Sequence, residues 1–340
     1  MARSDFQPES ITLPELPSGW YLSACTVTNS GSLAILAKDI DLSAGQFDWT
    51  NPGAIQARYN ASAQANICLW EFDGKELDSG IQVSVKARFA KVDRFSDGQW
   101  LVVDSRTSGV PNGFILSSSG DLCRKVLLGD GIEQIAIAPD ETIWVGWFDE
   151  GVGGNTDWKM AGQDWPPSSE GVGHFDRSGR FLPQRVYPEN GDFISDCYAL
   201  RVGPDAVWHC CYADFPIVGL YPSGDLRWWC NSICGATALA VDGAFALLAG
   251  GYGNDSSRLV LVSLEGSGTG EMARPIAEWQ LPLTASKRSE FVTQEMVANH
   301  LFEAPTLLTG RGDTVHLIVG SNWFRYRVKD AVELAAKRPS

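Results

Sequence analysis

Residues 131–152, GIEQIAIAPDETIWVGWFDEGV, followed at 172–181 by VGHFDRSGRF, decide the fold. A first apolar run, IEQIAIA, stops at Pro139-Asp140-Glu141, and a second, TIWVGW, follows at once; after an insertion a third, VGHF, meets a turn at Arg177-Ser178-Gly179. Runs this short, rich in Ile, Val and Trp and punctuated by Pro, Asp and Gly, read as antiparallel strands joined by tight turns. No 3.6-residue period runs through them, which excludes the helical repeat families.

The same pattern recurs along the chain. A strand–turn–strand unit appears as CLWEFDGKEL (68–77), GFILSSSGDL (113–122), VGHFDRSGRF, IVGLYPSGDL (217–226) and LVLVSLEGSG (259–268), with turn glycines at Gly74, Gly120, Gly179, Gly224 and Gly266. A second unit, a turn followed by a β-rich run, alternates with it: TNSGSLAILA (28–37), RFSDGQWLVV (94–103), APDETIWVGW (138–147), GPDAVWHCCY (203–212), VDGAFALLAG (241–250) and GRGDTVHLIV (310–319). With a further apolar strand before each second unit and an outer strand after each first unit, the repeat holds four antiparallel strands in roughly 40 to 45 residues, the blade of a β-propeller. The reading is a single all-β domain over residues 1–340, a six-bladed propeller with blades at about 19–85, 86–129, 130–193, 194–233, 234–284 and 285–328.

The sixth blade ends after SNWFRYRV (321–328), and KDAVELAAKR beyond it reads as a short helical tail within 329–340. Its missing outer strand is expected from the N-terminus: SITLPELPSG (10–19) resembles the outer strand EWQLPLTASK (278–287), and Pro14 and Pro17 suit an edge. The closing strand is expected over residues 10–16, Ile11 to Leu16 pairing with the strand around Phe324 to Val328.

Composition narrows the function. Lys plus Arg number 27 against 41 Asp plus Glu, a net charge of −14, so a polyanionic backbone would meet a repelling field and nucleic acid is not expected as a partner. No apolar run reaches the roughly 18 residues of a membrane span, and Met1 to Ser10 has neither an apolar core nor the flanks of a signal peptide. The 8 cysteines lie mostly in strand-like runs and read as buried reduced thiols, so the expectation is a cytoplasmic protein without a membrane partner.

In a propeller the loops divide by parity. The first-to-second and third-to-fourth strand turns share one face, and they are short throughout, as in Ser96-Asp97-Gly98 and Gly203-Pro204-Asp205. The opposite face takes every long insertion: about Asp39 to Ala65, about Asp149 to Glu170, and about Leu283 to His300. Long loops in a compact domain carry function or cover the structure beneath them, so this face is read as the binding side.

Carboxylates fall where strands meet that face. Glu133 and Asp196 begin inner strands, and Asp149 and Asp214 follow second strands, a set able to offer the several oxygen donors of Ca²⁺ or Mg²⁺ with Asn155 or Asn322 completing a shell. The same residues could instead solvate loop tips. Trp158 and Trp165, in a polar Gly- and Pro-rich insertion, could stack on a ligand or pin their own loop, and Trp49 and Tyr59 lie in the blade 1 insertion. Arg88, within the basic island Lys86, Arg88, Lys91 and Arg94, could meet an anionic group or pair with surface acids.

Other patterns weigh less. His209, Cys210 and Cys211 with Cys230 and Cys234 suggest zinc, but adjacent strand residues point to opposite faces and no paired CxxC occurs. The glycine runs 151–155 and 250–254 lack the Lys-Ser/Thr of a phosphate loop. No GxSxG elbow is present, and of four histidines only His300 lies in a long insertion, which disfavours a serine or cysteine hydrolase.

The text from about residue 86 to 265 resembles the NHL-repeat and gluconolactonase-type six-bladed propellers, and SDCYALRVGPDAVWHCCYADFP (195–216) with GATALAVDGAFALLAGGYG (235–253) is similar to bacterial propeller proteins. The gluconolactonase resemblance implies a divalent metal on the propeller axis, held by a Glu at an inner-strand start with Asn and Asp from other blades. Glu133 and Asp196 hold such positions here, whereas the first-blade segment SGWYLSACT, where that family's Glu lies, has no acid. The expected function is therefore a propeller scaffold that binds a small molecule, glycan or peptide at the insertion-bearing face. The alternative is a metal-assisted hydrolase, lactonase or lyase using the acidic cluster.

Overall fold

The structure is a computed structural model, and it describes residues 6–42, 51–155, 158–159, 164–188, 194–283 and 306–337. Its strands form six sheets arranged as a ring. The N-terminal strand β1 (Glu9–Thr12) precedes blade 1, which comprises β2 (Tyr21–Val27), β3 (Leu33–Lys38), β4 (Ile67–Phe72) and β5 (Ile81–Val83). Blade 2 is β6 (Ala90–Arg94), β7 (Trp100–Asp104), β8 (Gly113–Leu116) and β9 (Leu122–Val126); blade 3 is β10 (Ile132–Ile137), β11 (Ile143–Trp147) and β12 (Val172–Phe175). Blade 4 is β13 (Asp196–Val202), β14 (Val207–Tyr212), β15 (Ile217–Leu220) and β16 (Leu226–Cys230). Blade 5 contains β17 (Ala236–Asp242), β18 (Phe245–Gly250) and β19 (Arg258–Ser263), then β20 (Thr269–Met272), which leaves the blade, and β21 (Arg274–Gln280), which completes it. Blade 6 is β22 (Thr306–Arg311), β23 (Thr314–Val319) and β24 (Asn322–Arg327).

The inner strands β2, β6, β10, β13, β17 and β22 touch in succession, and β22 touches β2, which closes the ring. The N-terminus supplies the missing outer strand. β1 pairs antiparallel with β24 from Glu9 opposite Arg325 to Thr12 opposite Asn322, so the ladder lies a few residues earlier than expected in both strands. Pro14 has no amide hydrogen to extend it, and the last inter-strand bond runs from Leu13 N–H to the Ser321 carbonyl. Phe6 then packs edge-on against Trp279 of blade 5 and Tyr326 of blade 6, tying the two together.

Among the described residues, blades 3 and 4 depart from four antiparallel strands. In blade 3, among the described residues, only the bridge between Phe175 and Phe181 extends the sheet beyond β12, and Pro183 and Pro188 lack the amide donors of a ladder. In blade 5 the segment after Gly266 crosses to blade 4, where β20 pairs parallel to β16 as a fifth strand. Glycines make this possible: a Cβ on Gly268 would sit 2.7 Å from Arg227 Cβ, and one on Gly270 would sit 2.8 Å from the Trp228 ring.

Large apolar side chains fill the wedges between blades. Phe95, Leu101 and Val103 of blade 2 meet Val145, Trp147 and Phe175 of blade 3, and Trp208 stacks on Trp229 in blade 4 with ring centroids 5.9 Å apart. The helix Pro52–Gln64 occupies the β3–β4 connection, capped by the Asn51 side chain accepting from the Ala54 amide. A single π-turn, Glu150–Gly154, and a 3₁₀ turn, Pro167–Glu170, occupy the β11–β12 connection, and the amphipathic helix Val328–Ala336 packs on blade 5 and β24.

Candidate functional site

The inner strands enter from the insertion-bearing face, and four of the six carry a β-bulge near that end. The skipped residues are Ser23 in β2, Glu133 in β10, Tyr198 in β13 and Thr237 in β17. A bulge breaks strict alternation and re-aims a side chain, a device concentrated at the rims of closed sheets. Here it falls on Glu133 in β10 and on Tyr198 in β13.

Glu133 is desolvated, which raises its pKa, with Lys91 of β6 the cation that pulls it back down. Asp196 is pushed up to about 7, first by desolvation and then by the negative charges of Glu133 and Asp149. The structure thus brings together three of the four expected carboxylates. Asp214 lies elsewhere: it is exposed and lines a separate cavity of about 390 Å³ with Tyr187, Trp228, Cys230 and Cys234. Among the described residues no group of three or more His, Cys, Asp or Glu side chains is disposed to hold a metal ion.

Aromatic side chains wall the mouth on the blade 4 and 5 side. The Tyr252 hydroxyl donates to the Tyr198 hydroxyl at 2.8 Å, and burial raises the Tyr198 pKa. Phe215 packs edge-on between Tyr198, Tyr212 and Tyr252 at centroid distances of 5.1, 5.7 and 5.9 Å. Tyr212 and Tyr252 remain 47% and 50% exposed, so each ring keeps surface available to a ligand. Phe215 itself is 3% exposed with φ at +53°, a left-handed backbone that a buried ring holds in place.

Trp158 takes the loop-pinning alternative: it is 2% exposed, tilted against Trp147 at 6.2 Å, and so close to the chain that a Cβ on Gly129 would fall 2.2 Å from its ring. Trp165 is 66% exposed, with Lys159 Nζ 5.9 Å from its ring centre. Asn155 is turned inward, its Nδ2 donating to Asp130 Oδ2 at 3.1 Å and to the Thr107 carbonyl at 3.3 Å. Arg88 is held through its backbone: its N–H donates to Asp104, and its carbonyl accepts from Ser62 Oγ and Lys38 Nζ. Trp49, His300 and the connection 284–305 lie outside the described residues.

Two features escaped the sequence reading. Lys38 is fully buried, its amine donating to the carbonyls of Ser62, Ala87 and Arg88 and to Ser62 Oγ, which clamps the insertion helix onto blades 1 and 2. Burial pushes its pKa down to about 8, with Asp104 opposing the shift. The tyrosine wall was signalled only by Tyr252 inside the glycine run 250–254 and by Tyr198 two positions after Asp196. The His209 ring is buried, bonded to the Val186 carbonyl and to Cys211 Sγ at 3.3 Å.

No protein-family model and no curated protein sequence matches the chain. Solved structures similar to it include a virginiamycin B lyase from Staphylococcus aureus, with TM-score 0.48 and 11% identity over 94% of this chain and 98% of that one. Another is a gluconolactonase from Xanthomonas campestris, with TM-score 0.42 and 9% identity over 96% of this chain and 99% of that one. No helix among the described residues is long and apolar enough to cross a membrane.

Proposed function

We propose that this propeller is a binding scaffold whose ligand is a small molecule, glycan or peptide segment presenting hydroxyl or amino groups at the insertion-face mouth. The observation that carries this reading is the pair Glu133 and Asp196, desolvated carboxyls with Lys91 as the cation in reach, beside the half-exposed rings of Tyr212 and Tyr252. A ligand donor to either carboxyl replaces the water that burial removed, and a flat sugar or aromatic face covers a tyrosine ring. All eight cysteines are free thiols, which suits a reducing compartment, and a cytoplasmic location belongs to the same proposal.

The experiment is a glycan and amine library screened by thermal shift, followed by titration of the best ligand into wild type, Asp196→Asn and Tyr252→Ala. Loss of about tenfold in affinity in both variants is expected from one charge-assisted hydrogen bond and one stacking face. Unchanged affinity in both would overturn the site.

A second reading, hydrolase, lactonase or lyase chemistry at the same mouth, is favoured by one observation. A carboxyl titrating at about 7, as Asp196 does, can accept or deliver a proton at neutral pH. Thermal unfolding with Ca²⁺, Mg²⁺ or chelator separates the readings: tight stoichiometric metal favours the metal-assisted enzyme, and indifference favours the binder.

A further inference from the structure

The opposite face, where every turn is tight, holds a cavity of about 470 Å³ between the turns of blades 1, 3, 4 and 6. Its wall carries Arg311, Arg325 and Arg327 together with His316, in a chain of net charge −14. Arg325 and Arg327 alternate by two along β24 and so share one face of the strand.

The carboxylates in reach do not use up these donors. Asp93 is spent on Arg311 at 3.4 Å; Glu9 is shared between Arg327 at 2.8 Å and Arg325 at 3.6 Å; and Asp313, at the rim, accepts from Thr314. Among the described residues the Nε atoms of Arg311 and Arg325 are buried without a hydrogen-bond partner. His316 adds a donor. Its Nδ1 accepts from the Trp323 indole at 3.2 Å, which leaves the ring proton of the neutral imidazole on Nε2. Burial, and then the positive charges of Arg325, Arg311 and Arg327, push its pKa down to about 3, so the ring is neutral and the field of all three guanidinium groups reaches it.

From this convergence we infer that the tight-turn face binds a small phosphate monoester, its phosphate oxygens held by Arg325 and Arg327 and by the Nε2–H of His316. Guanidinium forks match tetrahedral oxyanions in bidentate fashion, and a dianion displaces the weaker hold of one shared Glu9. The cavity has room for a phosphate with a small organic body attached. This site is independent of the insertion-face mouth and stands or falls without it.

The test is calorimetric titration of inorganic phosphate into the full chain at constant ionic strength, with sulfate and citrate in parallel. The variants are Arg327→Gln, Glu9→Gln and, as a control for lost surface charge, Arg274→Gln. Arg327 is 49% exposed, so its replacement leaves the fold in place, and Arg274 is 68% exposed on blade 5. Saturable phosphate binding is expected, weakened about tenfold or more in Arg327→Gln, tightened several-fold in Glu9→Gln and unchanged in Arg274→Gln. No saturable phosphate binding in wild type, equal binding in Arg327→Gln, or citrate binding tighter than phosphate would each overturn the proposal.

Discussion

The two ends of the ring hold carboxylates in opposite ways, one fully buried and engaged, the other half-buried and short of partners. At the tight-turn end Asp93 is fully buried and fully engaged: it accepts from the Ile137 and Arg94 amides and pairs with Arg311, which also donates to Asn29 and to the Ile137 carbonyl. Arg201 completes the lacing by donating to Gly312 of blade 6 and Val241 of blade 5. All six blades meet through these few side chains. At the insertion end Glu133 and Asp196 have no guanidinium partner among the described residues, and they repel each other. A buried charge that is paired and hydrogen-bonded holds a structure together, whereas one left short of partners destabilises it.

Removal of the engaged carboxylate should have the largest effect. Asp93→Ala leaves Arg311 buried without its counter-charge and should destabilise the ring by about 3–5 kcal/mol, read as a lower midpoint in denaturant unfolding. If Asp196→Ala cost as much, the two ends would not differ in kind.

A parallel contrast exists among the aromatics of one insertion. Trp158→Ala removes a buried ring from between Trp147 and Gly129 and should cost about 3 kcal/mol or more, while Trp165→Ala, at an exposed position, should stay within about 0.5 kcal/mol. Equal effects would mean that burial does not distinguish them.

The pKa of Asp196 rises from 3.8 to about 7 on folding, so the folded chain holds this proton more tightly than the unfolded chain does. Its contribution is fully present below pH 3.8 and is lost as pH rises through about 7. His209 and His316, depressed to about 4 and about 3, act in the reverse sense, costing stability as pH falls below 6.5. The decisive quantity is therefore the difference between wild type and Asp196→Asn. The variant should gain on wild type by a few kcal/mol between pH 4 and pH 7, and a constant difference would deny that Asp196 is desolvated.

Much of the architecture was legible because strand and turn signals are local. Gly-bearing turns at fixed spacing announce blades wherever they occur, and the outer strand missing from SNWFRYRV pointed to the N-terminus. What the sequence hid depends on register or on distance. A bulge at Glu133 or Tyr198 leaves no mark on an alternating pattern, yet it decides which side chain faces the channel. Lys38 sits in an apolar strand, and its four acceptors come from residues 24 to 50 positions away, so nothing local reveals them. The crossing of β20 to blade 4 needed only small residues at Gly268 and Gly270, which also suit an ordinary turn.

Asn155 gives the finest test of the distinction between engaged and unengaged carboxylates, because its partner Asp130 lies on the insertion side but is built like Asp93. Asp130 is 1% exposed and accepts from Arg106 Nε at 3.1 Å, the Thr107 amide at 2.6 Å and Asn155 Nδ2 at 3.1 Å. Removing one donor of three leaves the carboxylate paired, so Asn155→Ala should cost only about 1 kcal/mol, the net worth of a single hydrogen bond. Asn155 spends its amide on Asp130 and Thr107, so the same variant should leave affinity for a mouth ligand unchanged while Asp196→Asn lowers it. A loss of ligand affinity in Asn155→Ala equal to that in Asp196→Asn, with stability intact, would move Asn155 from the frame of the insertion into the binding site and blur the line between engaged and unengaged carboxylates.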